Sequence, residues 1–343
     1  MNNDKVIFIT DDCEREKDYS IKSNDSEGNK LSAKFEMEKA LSELFSDVRT
    51  TYSVNELARM LNEDSNTFVV TTLYGVASQD SKSIVPTICK AYGTPYLGAD
   101  AYTHMICNDK HLSKSIIKKF GLGVIPGIII YSAENNSEIS EIKRFINNNE
   151  KVIVKPCFGG GSNGIISDSV VSSPDRATEL CRQLIKYQEV PVLIEKYIEG
   201  HEVSVAIIGS QEKIDYFGES KLTICGKDVF TDEVFGLESK KINPKSKSYS
   251  KSSFIDLKTK EKMIALFKSF NKVEFMRIDV RVDTNGDIHV LELSPDCYIG
   301  TSGAFYETVK EAYGDFNNMV KCLVENAISN QQSLLSNAQQ SPF

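Results

Sequence analysis

The chain has 343 residues, 41% of them apolar and 26% charged, and carries a formal net charge of −8. That length holds two or three domain-sized units, or one enzyme built from subdomains, with enough apolar material for real cores. The acidic balance excludes a general nucleic-acid binder, because affinity for a phosphate backbone needs a cationic surface. A nucleotide held in a locally basic cleft stays open.

No apolar run approaches the roughly 20 residues of a membrane span. The N-terminal MNNDKVIFITDD has a very short apolar stretch closed by acids, unlike a secretory signal. The 8 cysteines form no CxxC pair, which argues against a zinc site or a disulfide framework. The reading is a reduced, cytoplasmic protein with neither nucleic-acid nor membrane partners.

In chain order, KVIFIT (Lys5 to Thr10) reads as a first buried parallel strand. KFEMEKALSELF (Lys34 to Phe45) places Phe35, Met37, Ala40, Leu41, Leu44 and Phe45 near helical period. TFVVTTL (Thr67 to Leu73) reads as a second strand that runs into Tyr74-Gly75, and SIVPTICKAYGTPYLGAD as a helix, a break and a short strand at Pro95 to Leu97. Strands alternating with helices predict a parallel α/β unit over roughly the first hundred residues.

A basic helix from His111 to Phe120 follows, stopped at Gly121, then the strand IPGIIIYS, the helix SEISEIKRFINNN and the strand KVIVKP. Beyond a glycine-rich loop come a helix near Asp175 to Lys186, the strand VPVLIEKYI, and HEVSVAIIG with Val203, Val205 and Ile207 on one face. Phe275 to Val282 and Ile288 to Leu293 read as a hairpin joined by DTNGD. NPKSKSYSKSS (Asn243 to Ser253) reads as a mobile loop and the tail after Ser329 as frayed.

Three motifs carry chemistry. In KPCFGGGSNG, glycines let backbone N–H groups converge on an anion, and Lys155 leaves a buried strand beside them as a point charge; a plain turn is the competing reading. In LIEKYIEGHEVSV, Glu195 and Glu202 bracket a short turn; carboxylates accept from ribose hydroxyls, and the backbone of residues 195–198 can pair with an adenine edge, while a charged edge strand is the plainer alternative. In FMRIDVRVDTNGDIHVLELSPDC, Arg277 and Asp279 point to one face, with Glu292 on the partner strand. Paired carboxylates in apolar strands call for a cation, and Mg²⁺ is the hard ion that also bridges nucleotide phosphates; a surface hairpin with a salt bridge is the alternative.

The order of these pieces resembles the ATP-grasp superfamily, and within it the D-alanine–D-alanine ligase group, from about Tyr96 to Ala327. The resemblance implies an α/β fold of three subdomains: an N-terminal parallel α/β domain (1–104), a central lid subdomain with the glycine loop (105–190), a C-terminal mixed-sheet catalytic subdomain (191–330), and a tail at 331–343. It implies ATP bound by Lys110, Lys155, Gly160, Gly161, Ser162, Glu195, Lys196, Ile198 and Glu202. It implies Mg²⁺ or Mn²⁺ on Asp279 and Glu292, completed by Ser294 or Asp296, and an oxyanion held by Arg277 and backbone near Gly303, with Lys155 orienting phosphates. A homodimer is the expected assembly.

The chain departs from that family near the substrates. Glu292-Leu293-Ser294 stands where Glu-x-Asn is usual, Tyr74-Gly75 where His-Gly is usual, and the N-terminal glycine-rich stretch is absent, leaving Glu14 as a substitute acidic contact and Tyr74 and Ser302 as further substrate candidates. The lid around Phe230 to Lys241 is expected to supply a phosphate contact from Lys240 or Lys241, and Cys157 is the one cysteine near chemistry. The expected function is an ATP-dependent ligase that joins a small carboxylate to an amine through an acylphosphate, in a specialised pathway. The alternatives are D-alanine–D-alanine ligation and a catalytically silent ATP-binding protein.

Overall fold

The computed structural model describes residues 4–12, 31–73, 81–232, 234, 236 and 246–340, so Glu14, Tyr74, Lys240 and Lys241 lie outside the described residues. The N-terminal unit consists of β1 (Lys5–Thr10), α1 (Leu31–Leu44), β2 (Asp47–Thr51), α2 (Val54–Glu63), β3 (Phe68–Thr72) and α3 (Ile84–Tyr92). Its three strands are parallel, in the order β2-β1-β3. Strand β1 is an unbroken apolar run because both of its faces are covered. Val6 and Phe8 pack with Met37 and Leu41 of α1, while Ile7 and Ile9 pack with Leu57, Leu61, Val85 and Cys89. Phe35, expected on the buried face of α1, is 57% exposed. Pro95 to Leu97 contributes only a single parallel bridge, Val69 to Tyr96.

Helices α4 (Ala101–Asn108) and α5 (Leu112–Lys119) and the short β4 (Gly123–Val124) lead into the second unit. There β5 (Gly127–Ile130), β6 (Val152–Pro156), β7 (Val170–Val171) and β8 (Val192–Lys196) form an antiparallel sheet ordered β5-β8-β6-β7. Helices α6 (Asn136–Asn147) and α7 (Pro174–Gln188) pack on it through Ile142, Ile146, Leu180 and Leu184. Asn135 and Ser173 cap these helices by accepting from Glu138 and Arg176 N–H groups, and Pro174 sits where the missing N–H costs nothing.

The third unit holds β9 (Gly200–Gly209), β10 (Ile214–Ile224), β11 (Lys247–Lys251), α8 (Leu257–Lys268), β12 (Phe275–Asp283), β13 (Ile288–Pro295), α9 (Ala304–Tyr313) and α10 (Phe316–Gln340). Its sheet runs β11-β10-β9-β12-β13-β4, antiparallel except where β4 joins β13. Alternation divides its faces. Val203, Val205, Ile207, Ile278 and Val280 pack against Met263, Leu266 and Phe267 of α8, while Glu202, Ser204, Arg277, Asp279 and Arg281 share the opposite face. Two expectations are corrected. Lys247 to Lys251, read as part of a mobile loop, pairs with β10 as an edge strand whose lysines suit an exposed sheet edge. The segment after Ser329 continues α10 to Gln340 rather than fraying.

A buried polar cluster joins the first and third units. Lys272 reaches both carboxylate oxygens of Glu274 at 2.8 and 3.0 Å and the Tyr96 carbonyl at 3.2 Å. Glu274 accepts from the Gly98 N–H at 2.9 Å and from Asn330 at 3.2 Å. Asp296 accepts from the Ala99 N–H and lies 2.9 Å from His104 Nε2. A Cβ on Gly98, whose φ is +114°, would meet Asp296 Oδ2 at 2.1 Å, so only glycine permits this approach. Breaking one partner of a buried pair leaves an uncompensated charge. Lys272→Met is therefore expected to lower the unfolding free energy by about 3–5 kcal/mol, read from urea denaturation; a loss under about 1 kcal/mol would show that this junction is not a stabilising clasp.

Candidate active site

Strand β6 ends by delivering Lys155 beside the glycine loop, and β8 delivers Glu195 to the same place, since Lys155 pairs with Leu193 across the ladder. Glu195 is buried, and its carboxylate lies between the ammonium groups of Lys155 and Lys114. Burial alone would raise its pKa, but the two lysines outweigh it and the net direction is down. Lys114 is pushed down, chiefly by burial, against the pull of Glu195. Glu195 balances two lysines in this structure; the adenine contact is what the family resemblance implies for it. Lys114 escaped the motif reading, although it lies one helical turn from Lys110 in DKHLSK.

The loop itself is built on left-handed backbone: Gly159, Gly161, Ser162 and Gly164 have φ of 83°, 61°, 61° and 68°. Asn163 N–H donates to the Gly160 carbonyl at 3.1 Å and Ile165 N–H to that of Ser162 at 3.1 Å, closing successive turns. The α4–α5 junction holds the loop's near end. Lys110 Nζ donates to the Gly159 carbonyl, Gly159 N–H donates to Asn108 Oδ1 at 2.9 Å, and Lys110 N–H donates to the Cys157 carbonyl at 3.0 Å. Cys157 is buried, and burial pushes its thiol up to about 11, which suits a packing residue rather than a nucleophile.

Below the loop lie the carboxylates. Asp279 stands directly opposite Glu292 on β13 and opposite Ser204 on β9. Arg277 Nε and Nη2 donate to Asp279 at 2.7 to 3.0 Å, and Nη2 lies 3.6 Å from Glu292 Oε1. Ser204 Oγ donates to Asp279 at 2.9 Å and Ser294 Oγ to Glu292 at 3.2 Å. Burial raises Asp279 to about 6 despite Arg277, with Glu292 adding to the rise. Burial raises Glu292 too, but Lys110, Arg277 and Lys155 outweigh it and hold it down. Two lysines from the lid side therefore act electrostatically on a carboxylate of the C-terminal sheet, so the motifs converge in space. Ser204 gave no signal in the sequence, because a serine in HEVSV reads as an ordinary strand residue.

Other candidates fall elsewhere. Asp296, proposed to complete the metal set, is spent on Ala99 and His104 at the unit junction, where its φ of 48° turns the chain away. Gly303 N–H donates to the Gly300 carbonyl at 2.8 Å, so it closes a turn ahead of α9 rather than standing open to an oxyanion. Ser302 Oγ is 3.2 Å from the Tyr298 hydroxyl. Lys196 is exposed at the end of β8 with its N–H donated to the Pro126 carbonyl, and Ile198 is half-buried. Glu202 is paired with Arg281 at 3.1 Å.

The donor set fits a hard cation. Asp279, Glu292 and Ser294 offer only oxygens, and Arg277 already supplies positive charge to them. Among the described residues no group of three or more His, Cys, Asp and Glu side chains could hold a metal. Two carboxylates and a hydroxyl are a set that Mg²⁺ can take when phosphate oxygens complete its shell. Asp279 also makes a pH prediction. Its folded value exceeds the unfolded 3.8, so the native state binds the extra proton between about 4 and 6. Its contribution to stability is accordingly fullest below that window and is lost as the pH rises through about 6. Carboxyl ¹³C NMR of the nucleotide-free protein should find a midpoint near 6 that falls on addition of Mg²⁺ and ADP; a midpoint below 4 without either would contradict the burial described here.

Residues 116–325 match the family described as D-ala D-ala ligase C-terminus. The chain is 24% identical over 283 residues to a D-alanine–D-alanine ligase of Clostridium acetobutylicum, covering 81% of this chain and 78% of that one. It is 25% identical over 236 residues to the D-alanine–D-alanine ligase of Wigglesworthia glossinidia brevipalpis, covering 67% of this chain and 63% of that one. In fold, it resembles the D-alanine–D-alanine ligase of Bacillus anthracis solved with ATP, with a TM-score of 0.67, 16% identity, and 96% and 99% of the two chains covered. The chain belongs to the D-alanine–D-alanine ligase family, within the ATP-grasp superfamily of ATP-dependent, ADP-forming carboxylate–amine ligases.

Proposed function

We propose that the chain joins an amino acid or small acid to an amine at the site between the glycine loop and the C-terminal sheet, with ATP as the activating substrate. The observation that carries this reading is the facing pair Asp279 and Glu292 with Arg277 against both carboxylates, and Lys110 and Lys155 holding Glu292 down from the loop side. The acid's carboxylate oxygen attacks the γ-phosphorus, the bond to the β–γ bridging oxygen breaks, and ADP leaves behind an acylphosphate. The amine then attacks the acyl carbon, phosphate departs with the bonding pair, and the amine proton is lost to form the amide.

Lys110 and Lys155 take phosphate oxygens, with Gly160, Gly161 and Ser162 covering them from the loop. Glu195 pairs with Lys114 and Lys155 and so positions the latter, and the strand end at Lys196 to Ile198 receives the base. Asp279, Glu292 and Ser294 would hold Mg²⁺ (or Mn²⁺), which supplies neutralising charge for the phosphoryl oxygens. Arg277 stabilises the oxyanion of the tetrahedral adduct, aided by amides of the first turn of α9 beyond Gly303. Closing the loop keeps water from the acylphosphate.

The named relatives act on D-alanine, which favours that acid as a second reading. Against it stand Tyr74-Gly75 in place of His-Gly and the missing N-terminal glycine-rich stretch. We also propose a homodimer in the cytoplasm; no helix among the described residues is long and apolar enough to cross a membrane. The test is ADP release from ATP over a panel of amino-acid and small-acid pairs, D-alanine with itself included. Release that depends on a supplied pair supports the ligase, whereas nucleotide binding without turnover over the panel overturns it. With the active pair, Arg277→Met should lower kcat by about 10²–10³-fold while the chain stays folded by circular dichroism.

A further inference from the structure

Arg281 is a buried charge to which the ligase reading gives no task. It sits on β12 two residues beyond Asp279, on the same face, directly opposite Glu202 of β9. Its Nη2 donates to Glu202 Oε2 at 3.1 Å and its Nη1 to the Gly200 carbonyl at 3.2 Å. The guanidinium carbon lies 5.7 Å from the Tyr197 ring centre and 5.4 Å from that of Phe230. Phe230 is itself fixed, exchanging backbone hydrogen bonds with Gly200 at 2.9 and 3.0 Å. A guanidinium stays charged at any working pH, so enclosing it is costly unless its hydrogen bonds are placed with care. Here two acceptors and two aromatic faces determine both its position and its plane.

We propose that Arg281 is a positioning residue for the nucleotide: it engages one oxygen of Glu202, leaves the other to accept from the ribose hydroxyls, and so sets the preference for a ribonucleotide over one without its vicinal diol. The inference rests on the ATP-site reading above. Glu202 without Arg281 faces Asp279 as an unbalanced carboxylate and is free to rotate, and a rotating acceptor discriminates poorly. The Gly200 contact matters as well, because it ties the guanidinium to the backbone that leads into Glu202. A single ammonium cannot hold the Gly200 carbonyl and Glu202 in one plane between two rings, so lysine is an incomplete replacement.

The test uses the full chain and calorimetric binding of ADP and of 2′,3′-dideoxy-ADP in the presence of Mg²⁺. Hydrogen bonds to a charged acceptor are worth about 10–100-fold in affinity, so the wild-type protein is expected to prefer ADP by at least that. In Arg281→Met the ratio should fall below about threefold, by loss of ADP affinity rather than gain of the analogue. In Arg281→Lys it should fall at least threefold from the wild-type ratio. The melting temperature is followed in parallel, because a merely structural arginine lowers it and leaves the ratio intact. A folded Arg281→Met, or a folded Arg281→Lys should the first not fold, that keeps the wild-type ratio overturns the proposal. Equal wild-type affinity for the two nucleotides also overturns it, while leaving the ATP site standing. No wild-type binding of either would bring down the nucleotide reading itself, and this inference with it.

Discussion

The balance of buried charge on one face of the six-stranded sheet is the constraint on which the rest depends. Asp279 and Glu292 are placed opposite each other by the hairpin register, and neither can be ionised in a dry setting without a nearby cation. Arg277 meets that need from the same strand, while Lys110 and Lys155 act on Glu292 from the lid side. Further out, Arg281 answers Glu202, and Lys114 with Lys155 answers Glu195. The site is a lattice of alternating charge, in which each of these carboxylates already has a cationic partner.

Packing on the opposite faces gives that lattice its rigidity. Strands β9 and β12 turn apolar residues onto α8, so their polar residues have only one direction left. The N-terminal unit is then pinned by Glu274, Lys272 and Asp296 at the flank of the same strands. Loop residues between Asp296 and α9 receive a further tie, since Thr301 bonds Glu36 of α1 through both its N–H, at 3.1 Å, and its hydroxyl, at 2.6 Å.

Much of this was legible in the residues. KVIFIT, TFVVTTL and VIVKP announce buried strands by continuous apolarity, and the Arg277, Asp279 and Glu292 set follows from a two-residue period and a hairpin turn. What stayed hidden was pairing between distant segments. Nothing local distinguishes KSYSK from a loop until β10 offers it an edge. The family resemblance makes Asp296 a metal candidate, yet a left-handed backbone and a histidine from α4 claim it. Glu195 and Glu202 were found as acidic landmarks, but their cations, Lys114 and Arg281, lie in other elements and could be assigned only once the strands were assembled.

The two passages between the lid sheet and the large sheet bear on how the site opens. Only Ile125-Pro126 separate β4 from β5, and only Tyr197, Ile198 and Glu199 separate β8 from β9. These passages run side by side, joined where Lys196 N–H donates to the Pro126 carbonyl at 3.0 Å. Any rotation of the lid must be absorbed by the few torsions in these two strips, one of them stiffened by a proline ring. Two short, laterally bonded strips leave such a rotation few directions to take. Tyr197 lies in one strip and also forms a wall of the Arg281 enclosure, so one residue belongs both to the link between the two sheets and to the packing that fixes the Arg281–Glu202 pair.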